Sequence, residues 1–381
     1  MKSTFLLVPI SILLSSCSSQ AQTVGQDKPA SLPVLNPIEA KGDQLLNLDE
    51  TPKTPRFKVT DKIWPEKAGD ASICLWADDK IAPISFTIDD NTSPDVPWWL
   101  EMSDKYGFKA TWFIISANVG NNGWGGTWEL WKDVLAKGND IQSHTHTHLV
   151  KADAPDWPGI EWEYAESKKV LEQNLPGHRV RFLAYSGGKN SEKHDRSIAA
   201  KYYAGARGAT GTLVSPSQMD YFNTRAIVEE SFDNPKAKWA DMKRVLDPTD
   251  SVYRASSIYI YHTVKDKNMD RPMFKFMADN KDKFWIGLYG DISLYGLERD
   301  TATLKVEENT ADRIAFSLTD RMADAVFDYP LTVKVRLPDG WNKVTATQNA
   351  KAIPADVIEH EGAKYALVKA VPDKGQVLLK K

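Results

Sequence analysis

Cysteine is nearly absent: 381 residues hold two, Cys17 and Cys74. So few cannot build a disulfide framework, and the fold must stand on packed apolar surface. Long runs of one charge are missing too. The formal net charge is −3 with no Lys/Arg block, so no nucleic-acid partner is expected. No internal repeat is present. No Gly-rich nucleotide fingerprint follows the first strand pattern, and no G-x-S-x-G elbow marks a serine hydrolase.

Long apolar runs are also scarce. Phe5 to Leu14, behind Lys2, is too short to span a bilayer comfortably but suits a signal-peptide core. It ends in Leu14-Ser15-Ser16-Cys17, which resembles the lipobox of bacterial lipoproteins. That resemblance implies a signal peptide over 1–17, acylation of Cys17, and a membrane anchor facing the periplasm or cell surface. Cys74 would then have no partner. Residues 18–56 are rich in Ser, Gln, Pro and Lys without any period, and read as a flexible tether.

What is present is ordinary globular composition, 42% hydrophobic and 26% charged, in a chain long enough for one large domain and a smaller one. The 13 tryptophans are many for this length. Most belong in a core, but indole also stacks on sugar rings, which mildly favours a carbohydrate ligand. From Phe57 onward the pattern is globular. Ile73 to Trp76 and Ile84 to Ile88 read as strands. Pro97–Tyr106 reads as a helix stopped by Gly107, and Lys109–Ile115 as a strand. Trp128–Lys137 reads as a helix stopped by Gly138, followed by the strand Asp140–Ser143. Helix 161–174, strand 180–185, helices near 192–203 and 236–246, and strand 257–261 continue the alternation, which implies βαβ units and a parallel sheet. A barrel over 57–298 is the better expectation than a dinucleotide-binding fold. Beyond Arg299 the runs 313–318, 331–337, 343–347, 365–368 and 377–379 are short, with turn signals between them. They predict a small all-β, sandwich-like module over 299–381.

The chemistry centres on Gln142-Ser-His144-Thr-His146-Thr-His148-Leu149, where three of seven histidines fall within five residues. Imidazole binds metals and titrates near neutrality, so the cluster suggests a metal or acid/base site. Residues ending parallel strands gather on one face of a barrel. Asp89 and Asp90 end one such strand, His144 and His148 follow another, and His262 ends a third. Adjacent aspartates on a strand point opposite ways unless the chain bends there.

Phe86-Thr-Ile-Asp89-Asp90, His144-Thr-His-Thr-His148, Leu183-Ala-Tyr-Ser-Gly-Gly188 and Tyr259-Ile-Tyr-His262 resemble, in order and spacing, the motifs of the NodB-type polysaccharide deacetylases (carbohydrate esterase family 4). The segment Leu288–Arg299 resembles members that carry a C-terminal β-module. The resemblance implies an α/β fold, a distorted (β/α) barrel of the NodB type, and hydrolytic removal of acetyl groups from an acetylated polysaccharide. N-acetyl is the leading expectation and O-acetyl the alternative. It further implies a divalent metal on Asp90, His144 and His148, with Zn2+ first and Co2+, Mn2+ or Ni2+ as substitutes. Asp89 would be the general base and His262 the acid that protonates the leaving group. Tyr185, Gly187, Arg225 and Trp124 would contact the oxyanion or substrate. The chain departs from the family pattern at Ile88, Ser186 and Gly187. Arg181 and Arg225 are the two candidates for an arginine that orients the base. His146 is expected beside the pocket or on the surface, not as a ligand, and His178, His194 and His360 on the surface. Of Trp124, Trp128 and Trp131, two are expected in the core. The competing class is a glycan-binding lipoprotein on the same barrel without turnover.

Overall fold

The computed structural model describes residues 55–381 apart from 122, 150–155, 188–195, 210, 229–234, 265 and 269–270. Cys17, the tether to residue 54 and His194 lie outside the described residues. The first half runs β1 (Ala71–Ile73), β2 (Ala82–Ile88), α1 (Val96–Tyr106), β3 (Ala110–Ile114), α2 (Trp128–Ala136), β4 (Asp140–Ser143), α3 (Ile160–Asn174), β5 (Phe182–Ala184), α4 (Arg196–Tyr202) and β6 (Gly205–Arg207). It continues through β7 (Ile227–Val228), α5 (Pro235–Arg244), β8 (Ser257–Tyr261), α6 (Arg271–Asp279), β9 (Phe284–Ile286) and α7 (Tyr289–Thr301). Eight strands then complete the chain: β10 (Thr303–Asn309), β11 (Arg313–Thr319), β12 (Leu331–Arg336), β13 (Thr345–Gln348), β14 (Lys351–Ile353), β15 (Ala355–His360), β16 (Ala363–Ala370) and β17 (Val377–Lys380).

The expected stops operate where the sequence put them. Gly107 takes φ +73° after α1 and donates its N–H to Ser103 O, a conformation glycine adopts without Cβ strain. Thr127 caps α2 by accepting from Leu130 N at 3.2 Å.

The parallel strands order as β6-β5-β4-β3-β2-β8-β7, with β9 pairing the first half of β2. The sheet curls but does not close by a continuous ladder. Its two ends meet at one bridge, Arg207 to Thr224. The distorted-barrel expectation is therefore realised as a curled half-barrel. Alternation along each strand divides the core. Phe86, Trp112, Ile114, Leu183, Tyr259 and Tyr261 pack in one cluster with residues of α1 to α4 and α6. Phe113, Phe182, Ala184, Ile258 and Ile260 join a second cluster with Tyr289 and Ile292 of α7. Helix α7 thus fills the hollow of the sheet: Tyr289 stacks edge-on to Phe113 and Phe182 at 5.6 and 5.5 Å and donates to Thr224 Oγ1. Phe86 touches Trp99, Phe108, Tyr259 and Phe274, so truncating it to alanine costs about 3–5 kcal/mol.

The C-terminal module is two antiparallel sheets, β1-β12-β16-β15 and β10-β11-β17-β13-β14. Two features refine the sequence reading. The early strand is Ala71–Ile73, not Ile73–Trp76, and it pairs with β12 in the module, Ala71 opposite Val335. The second core cluster also runs unbroken from α7 into Phe316, Val333, Val335 and Val368. Barrel and module therefore share one core. Polar ties reinforce it: Tyr295 Oη donates to Cys74 O, and Tyr329 N donates to Glu298 Oε1. Cys74 is buried and free. No helix among the described residues is long and apolar enough to cross a membrane.

Candidate active site

The site lies at the C-terminal ends of the parallel strands. Asp89 follows β2, and its N–H donates to Tyr261 O of β8 at 2.8 Å. The chain then bends. Asp90 and Asn91 take φ +59° and +60°, so both carboxylates turn toward the same space instead of opposite faces. Asn91 holds the bend by accepting from Ile115 N at 2.8 Å and donating to Ile115 O and Gly125 O.

His144 leaves β4 with its N–H on Ile114 O. Its Nδ1 donates to Ala184 O at 2.9 Å, which leaves the Nε2 lone pair free to bind a metal. The loop to His148 is sharply turned, with Thr145 and His148 at φ +66°. Fully buried Glu163 of α3 anchors it. One oxygen accepts Thr147 N at 2.7 Å, and the other accepts the Thr147 hydroxyl and Trp157 Nε1.

Oδ1 of Asp90 faces His144 Nε2 at 3.4 Å and His148 Nε2 at 3.5 Å, yet it is buried with no hydrogen-bond partner. The three donor atoms lie within 4.8 Å of one another, the one such group among the described residues. An orphaned carboxylate oxygen facing two imidazole nitrogens is the donor set of a divalent-metal site, so the residues fit the implied ion. Burial pushes the Asp90 carboxyl up, but His144, then His148 and His262, outweigh it and hold the group well below the carboxylate range. Burial and then neighbouring His144 lower His148 below its ordinary value, which favours the neutral ligand form. His262, after β8, is part-exposed with Nε2 4.0 Å from Asp90 Oδ2. The structure thus brings Asp89, Asp90, His144, His148 and His262 together.

The arginine beside Asp89 is neither of the two expected. Arg207, at the end of β6, is buried, sits over the Phe113 ring at 4.9 Å, and places Nη2 2.6 Å from both oxygens of Asp89. Arg181 binds Asp328 and Val326 O of the module. Arg225 is exposed and lines a recess with Leu213 and Tyr253, before β7 and β8 and therefore at the opposite end of the sheet. Both corrections have one cause: the orienting group must stand at a strand's C-terminal end, and Arg207 does. The signal was available in that rule, but a three-residue strand gave it little pattern.

Tyr185 also needs correction. It is buried, its hydroxyl donates to Phe222 O at 2.8 Å, and its N–H donates to Arg207 O. The side chain is spent on the fold and not on substrate. Gly187 stands two residues beyond with φ +82° at the site's edge. Trp124 is 53% exposed on the loop beside the Asp89–Asn91 bend, where its carbonyl accepts from Ser93 N. Trp131 is buried and Trp128 packs on the core, the expected two of three. His146 stands outside the three-residue donor group: Nδ1 meets Ser116 Oγ at 2.8 Å and the ring is edge-on to Trp162. His178 is not a plain surface residue, because Nε2 donates to Ile141 O beneath β4. His360 is stacked flat on Trp64 at 3.8 Å.

This fold and donor set define a curled parallel half-barrel with a candidate metal site at its strand ends. Residues 77–205 match the family model for polysaccharide deacetylase. A gellan lyase from Bacillus sp is 35% identical over 368 residues, covering 89% of this chain and 14% of that protein. The chain therefore spans about a seventh of that relative's length. Among solved structures it is similar to the carbohydrate esterase family 4 domain of a multidomain xylanase from the hindgut metagenome of Trinervitermes trinervoides: 17% identity, 56% of this chain, 89% of that one, TM-score 0.37. A peptidoglycan deacetylase from Bacillus subtilis follows (16% identity, 56% and 90% covered, TM-score 0.35). A family 4 pseudoenzyme from Bacillus anthracis is also similar (15% identity, 56% and 66% covered, TM-score 0.36).

Proposed function

We propose that this chain hydrolyses acetyl groups, N-linked in preference to O-linked, from an acetylated polysaccharide. The carrying observation is the orphaned Asp90 Oδ1 facing two imidazole nitrogens beside the Arg207-held Asp89. Asp90, His144 and His148 would hold a divalent cation, zinc first among the candidates. When bound, it supplies Lewis acidity toward a carbonyl oxygen and toward water. Asp89 takes the proton of the water that attacks the acetyl carbon. Arg207 keeps that carboxylate oriented toward the strand ends. His262, part-exposed at the mouth, gives a proton to the departing amine or alkoxide as the C–N or C–O bond breaks. Acetate and the free sugar group are the products, and no acyl-enzyme is required. The Cys17 motif supports placing the enzyme on the cell envelope through a lipid anchor.

The direct test is acetate release by the full-length chain from N- and O-acetylated glycans, with and without a chelator. Chelator-sensitive release is expected. No release from any of them, with metal still bound, would overturn the reading in favour of a glycan-binding protein.

A further inference from the structure

The loop that carries the two candidate histidine ligands is anchored to an aromatic flank. Trp157 Nε1 donates to Glu163 Oε1 at 3.0 Å, on the same buried carboxylate that holds Thr147 between the ligands. Trp162, one residue before Glu163, meets His146 edge-on with ring centroids 4.8 Å apart. His146 is itself fixed through Nδ1 to Ser116 Oγ. Trp157 and Trp162 nevertheless stay partly exposed, and Leu149, next to the ligand His148, is 43% exposed. Two part-exposed indoles beside a polar site, one with its N–H held by Glu163, offer an apolar sugar face stacking area at low entropic cost.

We infer that Trp157 and Trp162 form a sugar-binding subsite on the histidine-loop side of the active site. Its occupant is the neighbour, along the same polysaccharide, of the sugar that loses its acetyl group. This rests on the deacetylase reading. Because Trp157 hangs on Glu163, and Glu163 on Thr147, occupation of the subsite is mechanically continuous with the loop that presents His144 and His148. Longer chains should therefore be preferred, because a neighbouring sugar on the flank adds a contact that a single acetylated sugar lacks.

The test uses the full-length protein with N-acetylglucosamine oligomers and O-acetylated xylo-oligomers of one and six sugars. Trp157→Ala and Trp162→Ala are expected to raise KM for the hexamer about tenfold, the scale of one lost stacking contact. The single sugar, which leaves the flank empty, should lose much less kcat/KM than the hexamer in both variants. Trp157→Phe, which loses the bond to Glu163 but keeps a ring, should retain most hexamer affinity. Equal losses on both lengths, or none on either, overturn the subsite. If the wild type releases no acetate from any oligomer, the functional reading fails on its own. Calorimetric binding then decides the subsite: preference for the hexamer that Trp157→Ala abolishes supports it, and no preference overturns it.

Discussion

Arg207 holds Asp89 with a single nitrogen, Nη2 standing 2.6 Å from each carboxylate oxygen while the guanidinium lies buried over Phe113. A buried charge pair of this kind contributes through position, since its attraction is largely offset by the desolvation of both partners. Removing one partner is another matter. Arg207→Ala leaves Asp89 charged and buried without its counterion, so a loss of about 3–5 kcal/mol in unfolding free energy is expected. A fall in kcat should accompany it. Arg207→Lys keeps the charge but not the planar geometry, and should recover stability more than rate. Denaturant unfolding and acetate-release kinetics on the two variants check this.

Asp89 and His148 separate chemistry from metal binding. Asp89→Asn should lower turnover by roughly 10²–10⁴, the usual contribution of a positioned base, while bound metal is retained. His148→Ala should lose both, because it removes one of three protein ligands. Elemental analysis alongside acetate release reads the outcome, and metal retained by the His148 variant would contradict the ligand assignment.

Glu163 should behave as a loop anchor. Glu163→Gln retains at most part of its set of bonds to Thr147 and Trp157. Metal affinity is expected to weaken by about 10–100-fold, the range for groups that orient ligands. Competition with a chromophoric chelator measures it.

The barrel–module junction carries its own pH dependence. Burial, together with Asp320 and Asp328 and against the Tyr329 N–H, raises the Glu298 carboxyl from 4.5 to about 9. The folded chain keeps that proton while the unfolded chain has released it. Stability from this group is therefore fully present below 4.5 and declines as pH rises toward about 9. Glu298→Gln should flatten this part of the thermal-midpoint profile, and an unchanged slope would contradict it.

Much of the site was legible because strand ends and motif order coincide. Asp89, Asp90, His144, His148 and His262 each follow a strand whose apolar run is plain. Arg207 was not, since Gly205–Arg207 is too short to show a period. Glu163, in the first turn of α3, carries no sequence signal that sets it apart from Glu161 beside it. Tyr185 was misplaced because a motif position carries a backbone constraint as readily as a functional side chain. In the module, β11, β12, β16 and β17 declared themselves, whereas β10, β14 and β15 pack only one or two apolar residues each on the core and so carry a weak strand signal.

The β1–β12 ladder sets an order of events during synthesis. Ala71 must wait for Val335, which the ribosome delivers 264 residues later, before either sheet edge is complete. Helix α7, which plugs the hollow of the half-barrel, is likewise coated on its other side by strands made after it. The nascent barrel would spend that interval with an open apolar groove, a long-range closure that slows folding and invites association. Cutting the chain at 298 would therefore not liberate a self-sufficient half-barrel; it would leave the outer side of α7 stripped of its apolar cover.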